Sequence, residues 1–464
     1  MSSYTNPMDS THLYYLYNAD HPEGNGTAWF HATSTDLVSW RDEGVAINKY
    51  TNGLGDIQTG SVVVDTANTA GFGAGAVVAL ATQQDDGVQR QSLFHSADGG
   101  YTFRGHAGNP VMDHPGSKDW RDPKVMWDAR RSQWVMALAE GHKIGFYTSA
   151  NLTSWTYRSG FERDDLGLLE CPELFEMSVD GDPRRTTWVL GTSANGSSRG
   201  RTTGYAYWTG SWDGTRFAPT DPEPSWLDSG PDFYAAMTWD DPHASDDERL
   251  ATRYALGWMN NWAYAGELPL REWSGGQLSV TREITLAGRP DGPPQLRSRP
   301  VAALDRLEGT PREVTPSMTA TPDDPAGIDL PAAAHRLRLT VAADQREPAR
   351  QVHLQLADDV TFTVDLERRT ASLVRRTLPG SDLPESYAQL LTDTVTVPSD
   401  GVRLDILIDR MSVEVFVGGG ERTFSALSFG ATGPSRVRID AVGGTARLDD
   451  VTLTPMAAAP PQRR

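Results

Sequence analysis

The chain has 464 residues, a length typical of two or more domains. Its 42 Lys and Arg against 61 Asp and Glu give a net charge of −19. Because so acidic a chain repels phosphate groups, nucleic acid and anionic membranes are not expected as partners. The sequence contains no run of about 18 apolar residues, so we expect no membrane span. The single cysteine, Cys171, excludes an intrachain disulfide and a multi-cysteine metal site.

The first residues lack both the basic and the apolar segment of a secretory signal peptide. As the chain stands, this predicts a cytoplasmic protein. If an upstream leader is missing from the sequence, the prediction becomes an extracellular protein, so the localisation stays open.

Short segments rich in Val, Thr and aromatic residues predict β-strands in the first part of the chain. They lie at 59–64, 76–82, 134–139 and 187–191. The 44 Gly and 30 Pro residues supply many turns, whereas a short helix is suggested only at 387–391. The sequence therefore predicts an all-β protein.

A turn pattern recurs at intervals of about 50 to 60 residues, a spacing typical of β-propeller blades. Each copy joins a small residue, an Asp or Asn turn and a terminal aromatic residue. The copies lie at 34–40, 96–103, 149–155 and 210–217, and 232–286 would form a fifth unit. One such turn alone would be an ordinary hairpin, but four in series predict a five-bladed β-propeller.

The pattern changes after a Pro-rich stretch near 289–300, which has the composition of a linker. Beyond it, apolar and polar residues alternate in short runs at 335–341, 352–356, 402–408 and 412–417. Such alternation is typical of a β-sandwich, in which each sheet buries one face. We therefore predict a propeller at 1–295, a linker at 296–306 and a C-terminal β-sandwich at 307–456.

Polar residues at the starts of the predicted innermost strands would converge at the propeller axis. These residues are Ser61, Arg121, Asp122, Glu170, Asp232 and Tyr234. An unpaired carboxyl group is costly to bury in a Leu-rich strand, so Glu170 is expected to face a polar channel or to stay protonated. A carboxyl group in that position is suited to protonate a leaving oxygen.

Each of these residues also has a structural interpretation. Asp122 precedes a proline and could be a turn residue, and Glu170 could belong to a structural ion pair. Packing or strand-end roles are the simpler interpretation of Ser61, Trp29, Asp232 and Tyr234 taken singly.

No cofactor or metal is predicted. No Gly-rich phosphate-binding loop follows a strand, and His31 has no second His or acid at ligand spacing. Cys171 has no His near it in the sequence and is interpreted as a small core residue.

Five segments resemble the motifs of glycoside hydrolase family 32, which comprises β-fructofuranosidases, levanases and related fructosyltransferases. They occur in the family's order over nearly the whole chain. Segment 29–40 (WFHATSTDLVSW) resembles its WGHATS motif, 120–124 (WRDPK) its RDP motif and 170–175 (ECPELF) its EC motif. Two further hallmarks are matched by 257–262 (GWMNNW) and 412–416 (SVEVF).

The resemblance implies a retaining glycosidase that uses three acids. Glu170, from the EC motif, would protonate the leaving oxygen and later activate water or an acceptor hydroxyl. Asp122, from the RDP motif, would hold the sugar hydroxyls as a transition-state stabiliser, and Arg121 would hydrogen-bond the sugar or the neighbouring acids. Further candidate substrate-binding residues are Trp29, Ser61, Asp232 and Tyr234. Retention needs two carboxyl groups ~5–5.5 Å apart.

The third acid, the nucleophile, is not found. The family carries it in a WMNDPNG-like segment ahead of a strand that corresponds here to 12–18, where Leu16 replaces a Gln of many members. The candidates are Asn6, whose amide cannot act as a carboxylate nucleophile, and Asp9. A missing N-terminal segment, a natural non-cleaving variant and the use of Asp9 are the three explanations. We favour the first and predict weak or no turnover by this polypeptide as written.

The favoured function is cleavage or transfer of the fructosyl units of a levan-like, β-2,6-linked fructan. The stretch 60–83 is similar to levan-acting members. The second hypothesis is a catalytically impaired fructan-binding protein. A third, a related propeller acting on arabinan or xylan, is disfavoured by the motifs at 170–175 and 257–262. Hydrolysis and transfer stay open, because they differ only in whether water or a fructosyl hydroxyl reaches the intermediate.

Overall fold

The structure, a computed structural model, describes residues 2–6, 10–21, 24, 26–269, 276–330, 334–430 and 436–459, without the side chains of residues 2–6, 313, 315 and 316. Helices are few and short. One α-helix, α1 (Asp246–Ala251), begins with a capping box formed by Ser245 and Glu248. Short 3-10 helices lie at Asp164–Leu166, Ser197–Arg199, Ala302–Leu307 and Glu385–Tyr387. Within the described residues, no helix has the length and apolar character needed to cross a membrane.

The first part of the chain forms five antiparallel units of four consecutive strands, the last two of which are joined into one sheet by a parallel bridge between Val179 and Leu286. The first three sheets contain β1 (Ser2–Asn6), β2 (Ser10–Tyr17), β3 (Ala28–Ser34), β4 (Arg41–Ile47); β5 (Asp56–Asp65), β6 (Ala76–Asp85), β7 (Val88–Ser96), β8 (Arg104–Gly105); and β9 (Trp120–Asp128), β10 (Gln133–Glu140), β11 (Lys143–Ser149), β12 (Thr156–Glu162). The fourth and fifth contain β13 (Glu170–Val179), β14 (Asp182–Asn195), β15 (Thr203–Trp212), β16 (Phe217–Pro219), with β17 (Ser225–Trp226) also paired to β15; and β18 (Tyr234–Trp239), β19 (Arg253–Trp258), β20 (Arg282–Ala287), β21 (Gln295–Pro300).

The five four-stranded units close into a ring. The first strand of each sheet contacts the first strand of the next, in the order β1, β5, β9, β13 and β18, and β18 contacts β1 again. The first strands are therefore the innermost strands around a central axis. This confirms the predicted five-bladed propeller.

The rest of the chain forms two six-stranded antiparallel sheets. Their strands are β22 (Arg312–Ala320), β23 (Ala326–Asp329), β24 (His335–Ala343), β25 (Gln351–Gln355), β26 (Val360–Asp365), β27 (Thr370–Arg375), β28 (Gln389–Thr394), β29 (Val402–Ile408), β30 (Ser412–Val417), β31 (Arg422–Leu427), β32 (Arg436–Val442) and β33 (Ala446–Pro455). The strand orders are β22-β33-β24-β29-β30-β31 and β23-β32-β25-β26-β27-β28. Alternate apolar residues of both sheets, such as Leu337 and Val352, share one core. The predicted β-sandwich is confirmed.

The repeated turns lie between the third and the fourth strand of the first four blades. In the first three, the serine hydroxyl accepts a backbone N–H from within the turn, at 2.8 Å for Ser34 and 2.9 Å for Ser96 and Ser149. The small residue therefore recurs because its side chain caps the turn.

The helix suggested at 387–391 is wrong. Glu385–Tyr387 is a single 3-10 turn, and β28 follows directly after it. In β28, Leu390 is 65% exposed whereas Leu391 is buried, which is the two-residue alternation of a strand.

A bulge marks the start of four of the five innermost strands. In β9, one extra residue is inserted between Arg121 and Lys124 relative to β10, and β5, β13 and β18 show the same shift. The left-handed residues in three of these bulges are Asp122, Cys171 and Ala235, with φ of 64°, 48° and 47°. Bulges of this kind re-aim side chains next to functional sites.

The last propeller strand, β21, pairs with β20 up to Pro300, and the 3-10 helix Ala302–Leu307 follows. The division into 1–295, 296–306 and 307–456 stays a prediction. We propose that the propeller extends to residue 300.

Candidate active site

The starts of the bulged strands meet at one end of the propeller axis, where they line a cavity of about 2250 Å³. β9 contributes Arg121 and Asp122, β13 contributes Glu170 and Cys171, and β18 contributes Tyr234. The cavity continues along the contact between the propeller and the sandwich. Four residues selected from the sequence are thus brought together from three blades.

Glu170 is held by donors on both of its carboxylate oxygens. Arg121 donates to Oε1 from Nη2 at 2.9 Å and from Nε at 3.2 Å, and the hydroxyl of Tyr234 donates to Oε2 at 2.6 Å. Burial, and then the charge of Glu170, raise the pKa of Tyr234 well above its ordinary value, so the phenol keeps the proton that it donates. The carboxyl group is therefore fixed in direction while it faces the cavity.

Arg121 is shared between two carboxylates. Its Nη1 donates to Asp119 Oδ1 at 2.7 Å, opposite the side that binds Glu170. Burial alone would lower the pKa of Arg121, but the hydrogen bond that it donates to Asp119 and the charge of Glu170 raise it overall. The guanidinium is thus a permanent, fixed positive charge in the site.

Asp122 lies buried beside Glu170, with 5% of its surface exposed. Its Oδ2 accepts the backbone N–H of Cys171 at 2.9 Å, and its own N–H donates to Thr82 Oγ1 at 3.0 Å. Burial, and then the charge of Glu170, raise the pKa of Asp122 to about 6 against the opposing charge of Arg121. The charge of Glu170 therefore acts on Asp122 at close range and disfavours the ionised form of Asp122.

Glu173 lies on β13, as Glu170 does, but its surroundings are those of a structural residue. Glu173 is fully buried and accepts from Lys124 Nζ at 2.9 Å, from the Tyr205 hydroxyl at 3.1 Å and from the Thr238 backbone at 2.9 Å. On a regular strand, residues three apart point to opposite faces. The bulge after Glu170 turns both acids toward the axis, where Glu173 forms a saturated ion pair and Glu170 lines the cavity.

Two predicted substrate contacts, Ser61 and Trp29, do not line the cavity. Ser61 lies beyond the bulge of β5, where its hydroxyl donates to Pro123 O at 2.8 Å and accepts from Val125 N at 2.9 Å. Trp29 packs in the core of the first two blades and donates to Gln58 O at 2.8 Å. These contacts favour the structural interpretation, in which both residues tie neighbouring blades together, and their role in substrate binding stays a prediction.

Asp232 also lies outside the cavity. It precedes β18 and is fully buried against the sandwich, where its carboxylate pairs with Arg375 and accepts the hydroxyl of Tyr264. In the structure Asp232 therefore links the two domains, and its contact with substrate stays a prediction.

Asn6, a candidate for the nucleophile, is the last residue of β1. β1 runs antiparallel to β2, with Ser2 opposite Tyr14 and Asn6 opposite Ser10. The cavity residues of the other blades lie at the starts of their innermost strands, so the matching place in the first blade is at Ser2. Asp9, the other candidate, falls outside the described residues.

Sequence reasoning missed several residues that line the cavity. Gln58 and Thr59 occupy the bulge of β5, three and two positions before the serine that was selected. Trp258 and Trp262 pack at 5.1 Å between ring centroids, and Trp262, 60% exposed, also contacts Tyr234 at 6.5 Å. The available signal was the GWMNNW segment, in which two Trp residues flank a polar turn.

The arrangement contains two of the three acids that the predicted retaining glycosidase would use. A cavity-facing carboxyl group is oriented by two donors, and a second, buried carboxyl group lies beside it together with a fixed guanidinium. Among the described residues, no group of three or more His, Cys, Asp and Glu side chains could hold a metal ion.

Comparison with known proteins places both parts of the chain in one family. Residues 7–300 match the model of the glycosyl hydrolases family 32 N-terminal domain, and residues 303–455 match that of the family 32 C-terminal domain. A levanbiose-producing levanase of Bacillus subtilis is 41% identical over 449 residues, which cover 95% of this chain and 85% of the relative. A levanbiose-producing levanase of Geobacillus stearothermophilus is 52% identical over 299 residues, which cover 64% and 74%.

Solved structures show the same fold. The exo-inulinase from Aspergillus awamori superposes with a TM-score of 0.84 at 26% identity, covering 99% of this chain and 96% of that one. The β-fructofuranosidase from Schwanniomyces occidentalis gives 0.83 at 24% identity, covering 98% and 94%. With both domain models matched and this fold in common, the chain belongs to glycosyl hydrolase family 32, a family of enzymes that cleave glycosidic bonds.

Proposed function

We propose that the protein is a retaining glycosidase that cleaves or transfers the fructosyl units of a levan-like β-fructan. The observation that carries this proposal is the Glu170 carboxyl group, which faces the cavity between Arg121 and Tyr234 and lies beside the buried Asp122. The relatives at 41% and 52% identity are levanbiose-producing levanases, which supports levan as the substrate.

In this proposal Glu170 protonates the oxygen that leaves, and then takes a proton from the water or acceptor hydroxyl that attacks the fructosyl-enzyme intermediate. Arg121 and Tyr234 keep its carboxyl group directed at that oxygen. Asp122 accepts hydrogen bonds from fructosyl hydroxyls as positive charge develops on the ring.

The nucleophile acts from the start of β1. A carboxylate is needed ~5–5.5 Å from the acid, and β1 is the innermost strand that lies between β5 and β18 in the ring. Residues 2–6 (SSYTN) contain no carboxyl group. In this proposal the nucleophile is a carboxylate presented at the N-terminal end of this strand.

Product analysis on levan tests the proposal with three polypeptides. The first is the 464-residue chain, the second carries an upstream extension ending in Asp directly before Met1, and the third carries the same extension ending in Asn. We expect weak release of fructose or short fructo-oligosaccharides from the first and third, and an increase of ~10³-fold or more with the second, because only a carboxylate can form the covalent intermediate. Glu170→Gln in the second should abolish that increase.

The other outcomes are equally informative. Levan binding without release by any of the three would support a catalytically impaired fructan-binding protein instead. Equal, ordinary rates from all three would place the nucleophile elsewhere, with Asp9 as the candidate. Release from inulin but not from levan would contradict the β-2,6 preference. The products also separate hydrolysis from transfer. Attack by water releases fructose or short oligosaccharides, whereas attack by a hydroxyl of the fructosyl unit next to the bond yields a cyclic difructose anhydride.

A further inference from the structure

The segment 228–232, directly before β18, is bound along an edge strand of the sandwich. The backbone N–H of Ser229 donates to Thr423 O at 2.7 Å, and that of Asp232 donates to Ser425 O at 3.0 Å. Both acceptors belong to β31, the last strand of its sheet. The segment thus adds a further strand to this edge and covers it.

Asp232 is the last residue of this segment, and its side chain binds the sandwich directly. The fully buried carboxylate pairs with Arg375 of β27, accepts Leu427 N at 2.7 Å and accepts the hydroxyl of Tyr264. The guanidinium carbon of Arg375 lies 3.8 Å from the ring centroid of Tyr387 and 4.9 Å from that of Tyr264. The ion pair is therefore enclosed by aromatic rings from both domains.

The connection from Asp232 to the active site is two residues long. Phe233 is 1% exposed and packs against the buried Arg282, whose guanidinium carbon lies 4.1 Å from its ring centroid. Tyr234 follows, and its hydroxyl donates to Glu170. Because both residues before Tyr234 are locked by packing, a displacement of Asp232 moves the start of β18 and the phenol with it.

We propose that Arg375 is a positioning residue of the active site, which acts from the sandwich through Asp232 to set the place of Tyr234 against Glu170. This inference rests on the proposed role of Glu170 as the acid/base. Buried ion pairs contribute little net stability compared with apolar residues of similar volume. The pair's contribution here is the fixed position of β18, and the sandwich is a structural part of the catalytic site.

A double-variant cycle between the sandwich and Tyr234 tests this inference. Arg375→Lys and Asp232→Asn are each made alone and with Tyr234→Phe. Two quantities are measured in the most active of the three polypeptides described above: kcat and KM for levan, and the dissociation constant of a fructofuranose-like iminosugar, whose cation binds the carboxylates without turnover. In the presence of Tyr234 each substitution should lower kcat and iminosugar affinity ~10-fold with little change in KM. With Tyr234→Phe the same substitutions should have an effect of less than about 2-fold, because the hydrogen bond that they position is already absent.

Gln295→Met is the matched control. It removes a different interdomain hydrogen bond, from Gln295 Nε2 to Glu421 O at 2.9 Å, and should leave kcat and iminosugar affinity unchanged. The positioning role would be overturned if each substitution caused the same loss with Tyr234 and with Tyr234→Phe. It would also be overturned if Gln295→Met caused an equal loss. If Arg375→Lys does not fold, Asp232→Asn, which keeps the side-chain volume, carries the cycle alone.

The proposed function is tested separately by Glu170→Gln in the same two assays. If this substitution leaves both activity and iminosugar affinity unchanged, the role of Glu170 itself fails. If it removes activity while the cycle is additive, only the positioning role of Arg375 fails.

Discussion

Charged residues in two regions of this protein have different surroundings. At the end of the propeller axis, Asp122 and Glu170 are bound on one side by protein donors and face a cavity on the other. At the interface between the propeller and the sandwich, Arg375 and Arg282 are fully enclosed and paired with Asp232 and with carboxylates of both domains. A buried charge thus indicates a ligand site only where the protein leaves one side of it open.

The two regions should also respond in opposite ways to the loss of a charge. At the interface, removing one partner leaves the other unpaired in a dry environment, which costs stability. In the active site, removing a carboxyl group relieves repulsion and desolvation while it removes the chemistry. Function and stability can therefore be separated by substitution.

The largest effect is expected at Glu170. Glu170→Gln keeps the hydrogen-bonding shape but removes the transferable proton, so kcat/KM on levan should fall ~10³-fold, within the range for general acid–base catalysis. The measurement uses the most active of the polypeptides described above. An unchanged thermal midpoint would show that the lost activity comes from the chemistry and not from unfolding. Retained activity would contradict the catalytic role of Glu170.

Arg375→Met should produce the largest loss of stability. It leaves the Asp232 carboxylate buried without its cation, and the free energy of unfolding should fall by about 3 kcal/mol. Denaturant unfolding followed by fluorescence measures this change. A double variant with Asp232→Leu should recover most of the loss; if it does not, the stability cost comes from packing around the guanidinium rather than from the unpaired charge.

Asp122→Asn should stabilise the protein at neutral pH. The folded protein keeps a proton on Asp122 up to a pH of about 6, whereas the ordinary value is 3.8. The folded state is therefore favoured at acid pH, and this contribution is lost as the pH rises from 3.8 through 6. The variant should exceed the parent by about 2 kcal/mol at pH 7.5 and match it near pH 4.

Unfolding free energies at these two pH values test the sign. A variant less stable than the parent at pH 7.5 would contradict the assignment of Asp122 as a desolvated site carboxyl group. Its activity on levan should fall as well, because the developing charge loses its stabilising carboxylate.

The smallest effect is expected at Ser61. Ser61→Ala removes the two hydrogen bonds that link the second and third blades, which should cost about 1–2 kcal/mol of unfolding free energy. Because Ser61 does not line the cavity, kcat/KM should stay within about 2-fold of the parent value. A larger loss of activity at unchanged stability would return Ser61 to the substrate-binding residues.

The fold was predictable because local chemistry repeats. Ser34, Ser96 and Ser149 cap equivalent turns with the same hydroxyl bond, so the blade repeat is visible in the sequence. The sandwich was predictable because its strands alternate, as Leu337, Leu339 and Val341 do in β24. The helix suggested near Tyr387 failed because an edge strand's half-exposed leucines resemble a short apolar helix face.

The site was predictable where a sequence motif itself marks the bulge in the strand. In β9 and β13 a proline follows the left-handed residue, which marks the bulge and places Asp122 and Glu170. In β5 no proline marks the bulge. The sequence alone therefore points to Ser61, which lies beyond the bulge, and not to Gln58, which lines the cavity. The role of Asp232 depends on a partner 143 residues away in the other domain, which no local pattern reveals.

The most direct test of the central claim is a crystal structure of the Glu170→Gln variant with a levan oligosaccharide. We expect a fructosyl ring at the end of the axis, with its hydroxyls on Asp122 and its glycosidic oxygen within ~2.6–3.2 Å of the substituted side chain. A sugar bound only along the interface with the sandwich, with both side chains out of reach, would contradict it.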